Sequence, residues 1–565
     1  MKARDLLFLA LGGIGEIGLN TYLYGLDGRW LMVDLGLTFA DDRLPGAELV
    51  LPDLRFIEER VADLDGLIIT HAHEDHIGAV PYLWSRLRCP IWCTPFTHSV
   101  LRRKFSEVQL DREATIRTVR PGETFHVGPF GCRLVHMTHS IPETSGLVLD
   151  TPFGRIFHTA DWKLDPEPLV GTPSETDALE DLGKEGVLAL VCDSTNALSP
   201  GTSGSEAEVR ESLIDLISHQ PKRVVVTTFA SNIARLETAM FAGAAAGREI
   251  VVVGRSMRRM IESAREVGYL KDIPPLRDEK EAESLPRERV LYLCTGSQGE
   301  PRSALVRIAT KQHPRVRLDA GDTAIFSSKI IPGNERILYN LHNQLVQSGV
   351  EVITEVDHFV HVSGHPCRDE LDQMYRWIRP KIAVPMHGEA RHLQAHQRLA
   401  KAQGVPQVPL IENGSVLRLA PGDPVVVDQV AVGRMVLETD GLVGAGDDLF
   451  RTRRRLGNHG TLLVSLVVDD QGSLLAPPQL AAVGLLDQKR FEDLREPLQD
   501  GIGDAVEGLD DKQIMDDERV RDAVRGSIRQ VLDLPRHRRP IVEIQITRLS
   551  ADSLAALEDD AVEVT

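Results

Sequence analysis

Thr70-His71-Ala72-His73-Glu74-Asp75-His76 places four potential metal ligands within six residues, directly behind the apolar run 66–69. A short apolar run bounded by polar residues reads as a buried strand. The turn behind it lets alternate side chains face one cavity at the strand's end. Imidazole and carboxylate together suit zinc or manganese. The pattern H-x-H-x-D-H arises by chance in roughly one sequence per thousand of this length. The bland alternative is a surface loop that happens to be rich in histidine.

One such cluster cannot complete two coordination spheres. Further candidates stand where other apolar runs end. Asp34 follows 31–33, His139 follows 134–138, Asp161 follows 156–159, Asp193 follows 187–192, and His387 follows 382–385. A site assembled from strand ends explains that recurrence. Each of these residues alone is more often satisfied locally than ligated.

The chain has 565 residues, 42% hydrophobic and 26% charged, which fits two to four globular domains. No apolar run is long enough to span a membrane. The stretch 6–11 runs straight into Gly12 and Gly13, so it reads as a first strand rather than a signal peptide. Six cysteines are scattered without paired spacing and read as reduced thiols of a cytoplasmic protein. A formal charge of -19 excludes binding of nucleic acid by general electrostatics alone. A phosphate-bearing substrate would need a local groove of donors.

The pattern changes near Pro200. Ser205 and Glu208 have capping-box spacing, and Val209, Leu213 and Ile217 follow at helical intervals. Apolar runs at 224–226, 250–253, 290–293, 323–326 and 350–354 then alternate with helix-like segments, the pattern of a parallel α/β domain. Because 382–387 returns to the first type, the block is an insertion. The expected organisation is a first domain over 1–206 and 358–446, with the insert at 207–357. A Gly- and Arg-rich linker at 447–460 follows, then a small α+β domain at 461–565. Arg453 to Arg455 and Arg536, Arg538 and Arg539 read as solvated clusters or nucleic-acid contacts, and 558–565 as a frayed acidic end. Gly12-Gly13-Ile14-Gly15-Glu16-Ile17-Gly18 does not suit a dinucleotide fingerprint, because the acidic residue of a following βαβ unit is missing. A tight hairpin turn near the metal cleft is the better reading.

The order Asp34, His71 to His76, His139 and Asp161 resembles the metallo-β-lactamase superfamily, and the α/β insertion with a late His387 resembles its β-CASP branch. Within that branch the chain is similar to the bacterial ribonuclease J family. The stretches that carry this are the glycine turn 12–18, Asp193-Ser194-Thr195-Asn196, Thr295-Gly296-Ser297-Gln298-Gly299-Glu300-Pro301 and His361-Val362-Ser363-Gly364-His365. The likeness covers most of residues 5–450.

The resemblance implies an αββα sandwich carrying an inserted β-CASP α/β domain and a small α+β C-terminal domain. It implies two divalent ions, zinc with manganese as the alternative. One would sit on His71, His73 and His139, the other on Asp75, His76 and His387, with Asp161 bridging and Asp34 behind a ligand. Such a pair acidifies water and offsets charge on a phosphoryl transition state. Asp75 would also take a proton, and His365, oriented by Asp193, would protonate the leaving oxygen. A turn that merely closes a domain interface is the other reading of His365. His361, Val362, Ser363, Gly364 and His365, with Ser231, Asn232 and Ile233, would hold a substrate phosphate. Asn232 with Ser231 is as readily a plain helix cap.

The implied activity is cleavage of single-stranded RNA by a 5′-to-3′ exonuclease favouring 5′-monophosphate ends, with endonuclease activity besides. A homodimer or homotetramer through the C-terminal domain is expected, with no membrane association. Rival readings are another hydrolase on the same core, acting on DNA or a small molecule, and a non-catalytic scaffold of an RNA-processing assembly.

Overall fold

The run Leu6–Gly12 is apolar at nearly every position because both faces of its strand are covered. It lies inside an eight-stranded sheet, beside Thr21–Leu26 on one side and Ser415–Ala420 on the other. A six-stranded sheet packs against it. Phe8, Tyr22, Val33 and Ile68 of the first meet Leu147, Ile156, Val191 and Val384 of the second in one core. Alternate residues of the six-stranded sheet (Val148, Phe157, Leu190) point outward onto helices Thr176–Glu185 and Arg368–Ile378. Helices Val80–Leu87 and Pro95–Glu107 follow strands of the eight-stranded sheet. This is the αββα sandwich.

The computed structural model describes residues 5–533 and 539–550. Arg536, Arg538 and 558–565 lie outside the described residues.

Between the two runs of sandwich strands lies a six-stranded sheet in which every pairing is parallel, with Val224–Thr227 and Val290–Cys294 at its centre. Helix Glu206–Ser218 opens this domain through the capping box expected at Ser205 and Glu208. Its neighbour Ile233–Ala245 is capped by Asn232, whose side chain accepts from the Arg235 amide at 2.9 Å.

A second compact unit comprises 40–48 and 436 onward. The segment 447–460, read from sequence as a linker, folds there as helix Asp448–His459, with Asp447 as its cap. Its Arg- and Leu-rich composition favours helix, and one interior glycine costs too little to break it. Arg453 in this helix pairs with Glu438 at 2.6 Å, so it is held rather than free. The unit's three-stranded sheet covers one face with helices Gln488–Glu507 and Asp517–Leu532. On the other face Leu463 and Val483 are exposed.

Candidate metal centre

Strand Leu64–Ile68 delivers Thr70 and His71 to the rim of the sandwich, and the single helical turn Glu74–Ile77 lifts Asp75 and His76 back over it. Strands Phe130–His136, Gly154–His158, Ala189–Asp193 and Ile382–Met386 end at the same rim. They bring His139, Asp161, Asp193 and His387 beside the motif.

Two ligand sets form, sharing one carboxylate. In the first, His73 Nδ1 lies 3.1 Å from His71 Nε2 and 3.0 Å from His139 Nε2. Asp161 Oδ2 stands 3.7 Å from each of those Nε2 atoms. In the second, Asp161 Oδ2 is 3.2 Å from His76 Nε2 and Asp161 Oδ1 is 3.7 Å from His387 Nε2. Asp75 Oδ2 is 3.6 Å from His76 Nε2 and 3.7 Å from His387 Nε2. A tetrahedral ion with bonds of ~2.0–2.1 Å separates its donors by roughly 3.3 Å, so both sets have the right dimension.

The hydrogen-bond partners explain why these atoms are free to ligate. His76 Nδ1 donates to Asp34 Oδ2 at 2.7 Å, His139 Nδ1 to the Gly364 carbonyl at 2.5 Å, and His387 Nδ1 to Asn20 Oδ1 at 2.8 Å. His71 Nδ1 faces the Thr70 hydroxyl at 3.1 Å, which itself donates to Asp34. With those protons pointing outward, the Nε2 lone pairs of four rings converge on one space. Burial and neighbouring imidazoles hold His71 and His139 well below the ordinary histidine range, and burial lowers His73 to about 4. Neutral rings are the ligand form. Among the described residues, the buried Asp161 Oδ1 has no hydrogen-bond partner. Converging lone pairs and an orphaned carboxylate oxygen are reconciled by cations, so the residues fit divalent metal.

Several of these side chains sit on backbone in the left-handed region. Asp34, His387, Leu19 and Ala160 have φ of 60°, 50°, 59° and 53°. Asp34 and His387 are site residues, Ala160 precedes Asp161, and Leu19 precedes Asn20, which bonds His387; strain of order 1 kcal/mol each is typical where geometry outranks local comfort.

His365 stands over both sets. Its Nδ1 bonds Asp193 Oδ2 at 2.8 Å and lies 3.9 Å from Asp161 Oδ2. Burial alone would lower this imidazole, but the Asp193 and Asp161 carboxylates outweigh it and push it up to about 9. Asn196 Nδ2 donates to Ser363 Oγ at 2.7 Å and to the His365 carbonyl at 3.0 Å, which pins the turn 361–365.

The sequence-derived phosphate set is only partly free for that task. Asn232 spends its side-chain oxygen on its helix, the outcome its cap reading described. Gly364, expected to serve phosphate, gives its carbonyl to His139. A Cβ there would stand 2.8 Å from the His139 ring, which is why the position is glycine. Val362 is buried, while Ser231, His361, Ser363 and His365 are part-exposed, with His361 beside the Arg235 guanidinium at 3.5 Å. Ile233 begins helix Ile233–Ala245 and is buried.

Sequence reasoning missed Asn20, Asn196 as an anchor, and the buried Arg235–Glu206 pair at 3.0 Å, whose guanidinium also reaches the Val360 carbonyl. Only the density of glycine before Asn20 pointed to that residue.

Comparison with known proteins agrees with this geometry. Family models match four consecutive regions. They are the metallo-β-lactamase superfamily over 14–227, the ribonuclease J β-CASP domain over 221–345, a Zn-dependent metallo-hydrolase RNA specificity domain over 349–408, and the ribonuclease J C-terminal domain over 449–549. The chain is 42% identical to ribonuclease J of Sinorhizobium meliloti over 97% of this chain and 98% of that one. The chain belongs to the ribonuclease J family.

Ribonuclease J of Mycolicibacterium smegmatis is 38% identical over 94% of this chain and 95% of its own. Ribonuclease J 1 of Streptococcus pyogenes is 35% identical over 96% and 97%. A crystal structure of a protein of unknown function from Enterococcus faecalis shares the fold at TM-score 0.50 and 15% identity, covering 75% of this chain and all of that one. As a member of this family the chain is a metal-dependent ribonuclease that binds RNA, which removes the small-molecule and scaffold readings. No helix among the described residues is long and apolar enough to cross a membrane.

Proposed function

We propose that this ribonuclease works with two divalent ions, zinc in the first instance, and degrades single-stranded RNA from a 5′-monophosphate end, with endonucleolytic cuts besides. The observation that carries the reading is the pair of ligand sets sharing Asp161, with the His365–Asp193 pair beside the shared carboxylate. His71, His73 and His139 would hold one ion, and Asp75, His76 and His387 the other. When bound, the ions lower the pKa of water and offset charge on the scissile phosphate.

The chain's own groups do the rest. Asp75, whose side chain is 31% exposed, faces the cleft and accepts a proton from the attacking water. His365, charged at neutral pH, donates to the leaving oxygen while Asp193 keeps the ring aligned. Ser231, His361 and Ser363 bind a phosphate at a short fixed distance from the ligands, which sets the length of the piece released. The helix that Asn232 caps adds the positive end of its dipole to that pocket. These concentrated donors let an acidic protein hold RNA. The exposed face of the C-terminal sheet around Leu463 and Val483 supports assembly as a homodimer or homotetramer. Six unpaired, buried cysteines support a cytoplasmic location.

The test is a time course on 5′-labelled RNA bearing either a monophosphate or a triphosphate. Labelled mononucleotide released at once from the monophosphate alone is the expected result. Label appearing first in long fragments from both substrates would refute the exonuclease.

A further inference from the structure

The second ligand set rests on one residue outside it. Asn20 is wholly buried and touches all three of that set's own members. Its Oδ1 accepts from His387 Nδ1 at 2.8 Å and from the Tyr22 hydroxyl at 2.7 Å. Two donors on one oxygen fix which way the amide faces. Its Nδ2 is thereby turned to Asp75 Oδ2 at 3.2 Å and lies 3.0 Å from His76 Nε2. The backbone joins in, since the Asn20 amide donates to the Asp75 carbonyl at 3.0 Å.

The glycine turn before it serves the same end. Gly13 has φ of 86°, and a Cβ there would stand 2.3 Å from the Tyr22 hydroxyl and 2.6 Å from Asn20 Oδ1. The Gly13 carbonyl accepts from the His387 amide at 2.7 Å. A Cβ on Gly36, next to the motif, would fall 1.6 Å from the Asp75 carbonyl oxygen. Glycine therefore stands where backbone and amide must come together. Leu19, in the left-handed region beside Asn20, shows the same constraint.

We infer that Asn20 is the positioning residue of the second metal set, holding His387 in its Nε2-ligating tautomer and Asp75 in its ligating rotamer, with Tyr22 locking the amide. The inference rests on the two-ion reading above. The first set needs no such residue, because Thr70 and the Gly364 carbonyl orient His71 and His139 independently. Loss of the Asn20 amide therefore weakens one ion and spares the other. Outer partners of ligands are worth about 10–100-fold in metal affinity.

The experiment is zinc titration of metal-stripped full-length protein against a chromophoric chelator, for wild type, Asn20→Ala and Tyr22→Phe. Wild type must first bind two ions per chain, and fewer than two would fail the two-ion reading itself rather than this inference. Given two, Asn20→Ala is expected to bind one with wild-type affinity and the other about 10–100-fold more weakly. Cobalt loaded in place of zinc should then show an altered visible band for the second equivalent alone. Wild-type affinity for both ions overturns the inference, and so does equal weakening of both, which would mark a merely structural role. If Asn20→Ala does not fold, Tyr22→Phe decides. A selective fall in the second ion's affinity supports the assignment, and an unchanged titration overturns it.

Discussion

Replacing Asp193 with Asn removes a charge 2.8 Å from His365 while keeping the shape of the side chain. The Thr195 amide and hydroxyl, at 2.8 and 2.7 Å from Asp193 Oδ1, retain an acceptor in the variant. What changes is the imidazole. Asp193 is the leading group raising His365 to about 9, against burial that pulls it down, so without that charge the ring falls toward the ordinary histidine value of ~6.5. A shift of about 2.5 units corresponds to ~3 kcal/mol, somewhat less because a fifth of the ring faces solvent. A histidine with a raised pKa keeps its proton below that value and loses it as pH climbs through it. At pH 8 about nine-tenths of the wild-type rings carry the acid proton, against roughly 3% in the variant, a difference of about 30-fold. At pH 6 the two differ by less than twofold. The assay is single-turnover cleavage of 5′-monophosphorylated RNA at saturating metal from pH 5.5 to 9. A variant whose deficit is the same at pH 6 and pH 8 would refute the assignment of His365 as the acid.

His73→Ala and Asp75→Ala should each abolish RNA cleavage, with metal analysis showing loss of one ion per chain. Cleavage within tenfold of wild type would count against the site. Chelation should lower the melting temperature, and zinc should restore it, because ligands bound only by the folded state stabilise it by mass action. Gly364→Ala should push the His139 ring from its place and weaken the first ion by about 10–100-fold, read by the same chelator competition. Arg235→Ala strands the buried Glu206 charge and removes one of the two donors to the Val360 carbonyl, so it should cost about 3–5 kcal/mol in urea denaturation.

The sequence was most legible where chemistry and periodicity coincide. The motif at 71–76 stood out because four ligating side chains in six residues have few other uses, and His139, Asp161 and His387 followed because each ends an apolar run. The parallel insert was visible in runs of Val and Ile buried on both faces. Reading was poorer where a residue acts through a neighbour. Asn20 lies in a loop, has no periodic partner, and meets His387 across 367 positions. Gly364 acts through its carbonyl, which its side chain could not reveal. The helix Asp448–His459 was obscured because glycines and arginines suggested a tether while the arginines favoured helix.

The bond between His139 and the Gly364 carbonyl joins positions 225 apart, with the whole parallel domain between them. A ribosome adding ~5–20 residues per second needs roughly 11–45 s to cover that interval. Throughout it the emerging chain already displays the motif at 71–76 but lacks the carbonyl that steadies His139, and it lacks His387. The cutting centre is thus closed by nearly the last strand of its own sandwich. On the two-ion reading proposed above, the site therefore stays incomplete until residue 387 has left the ribosome.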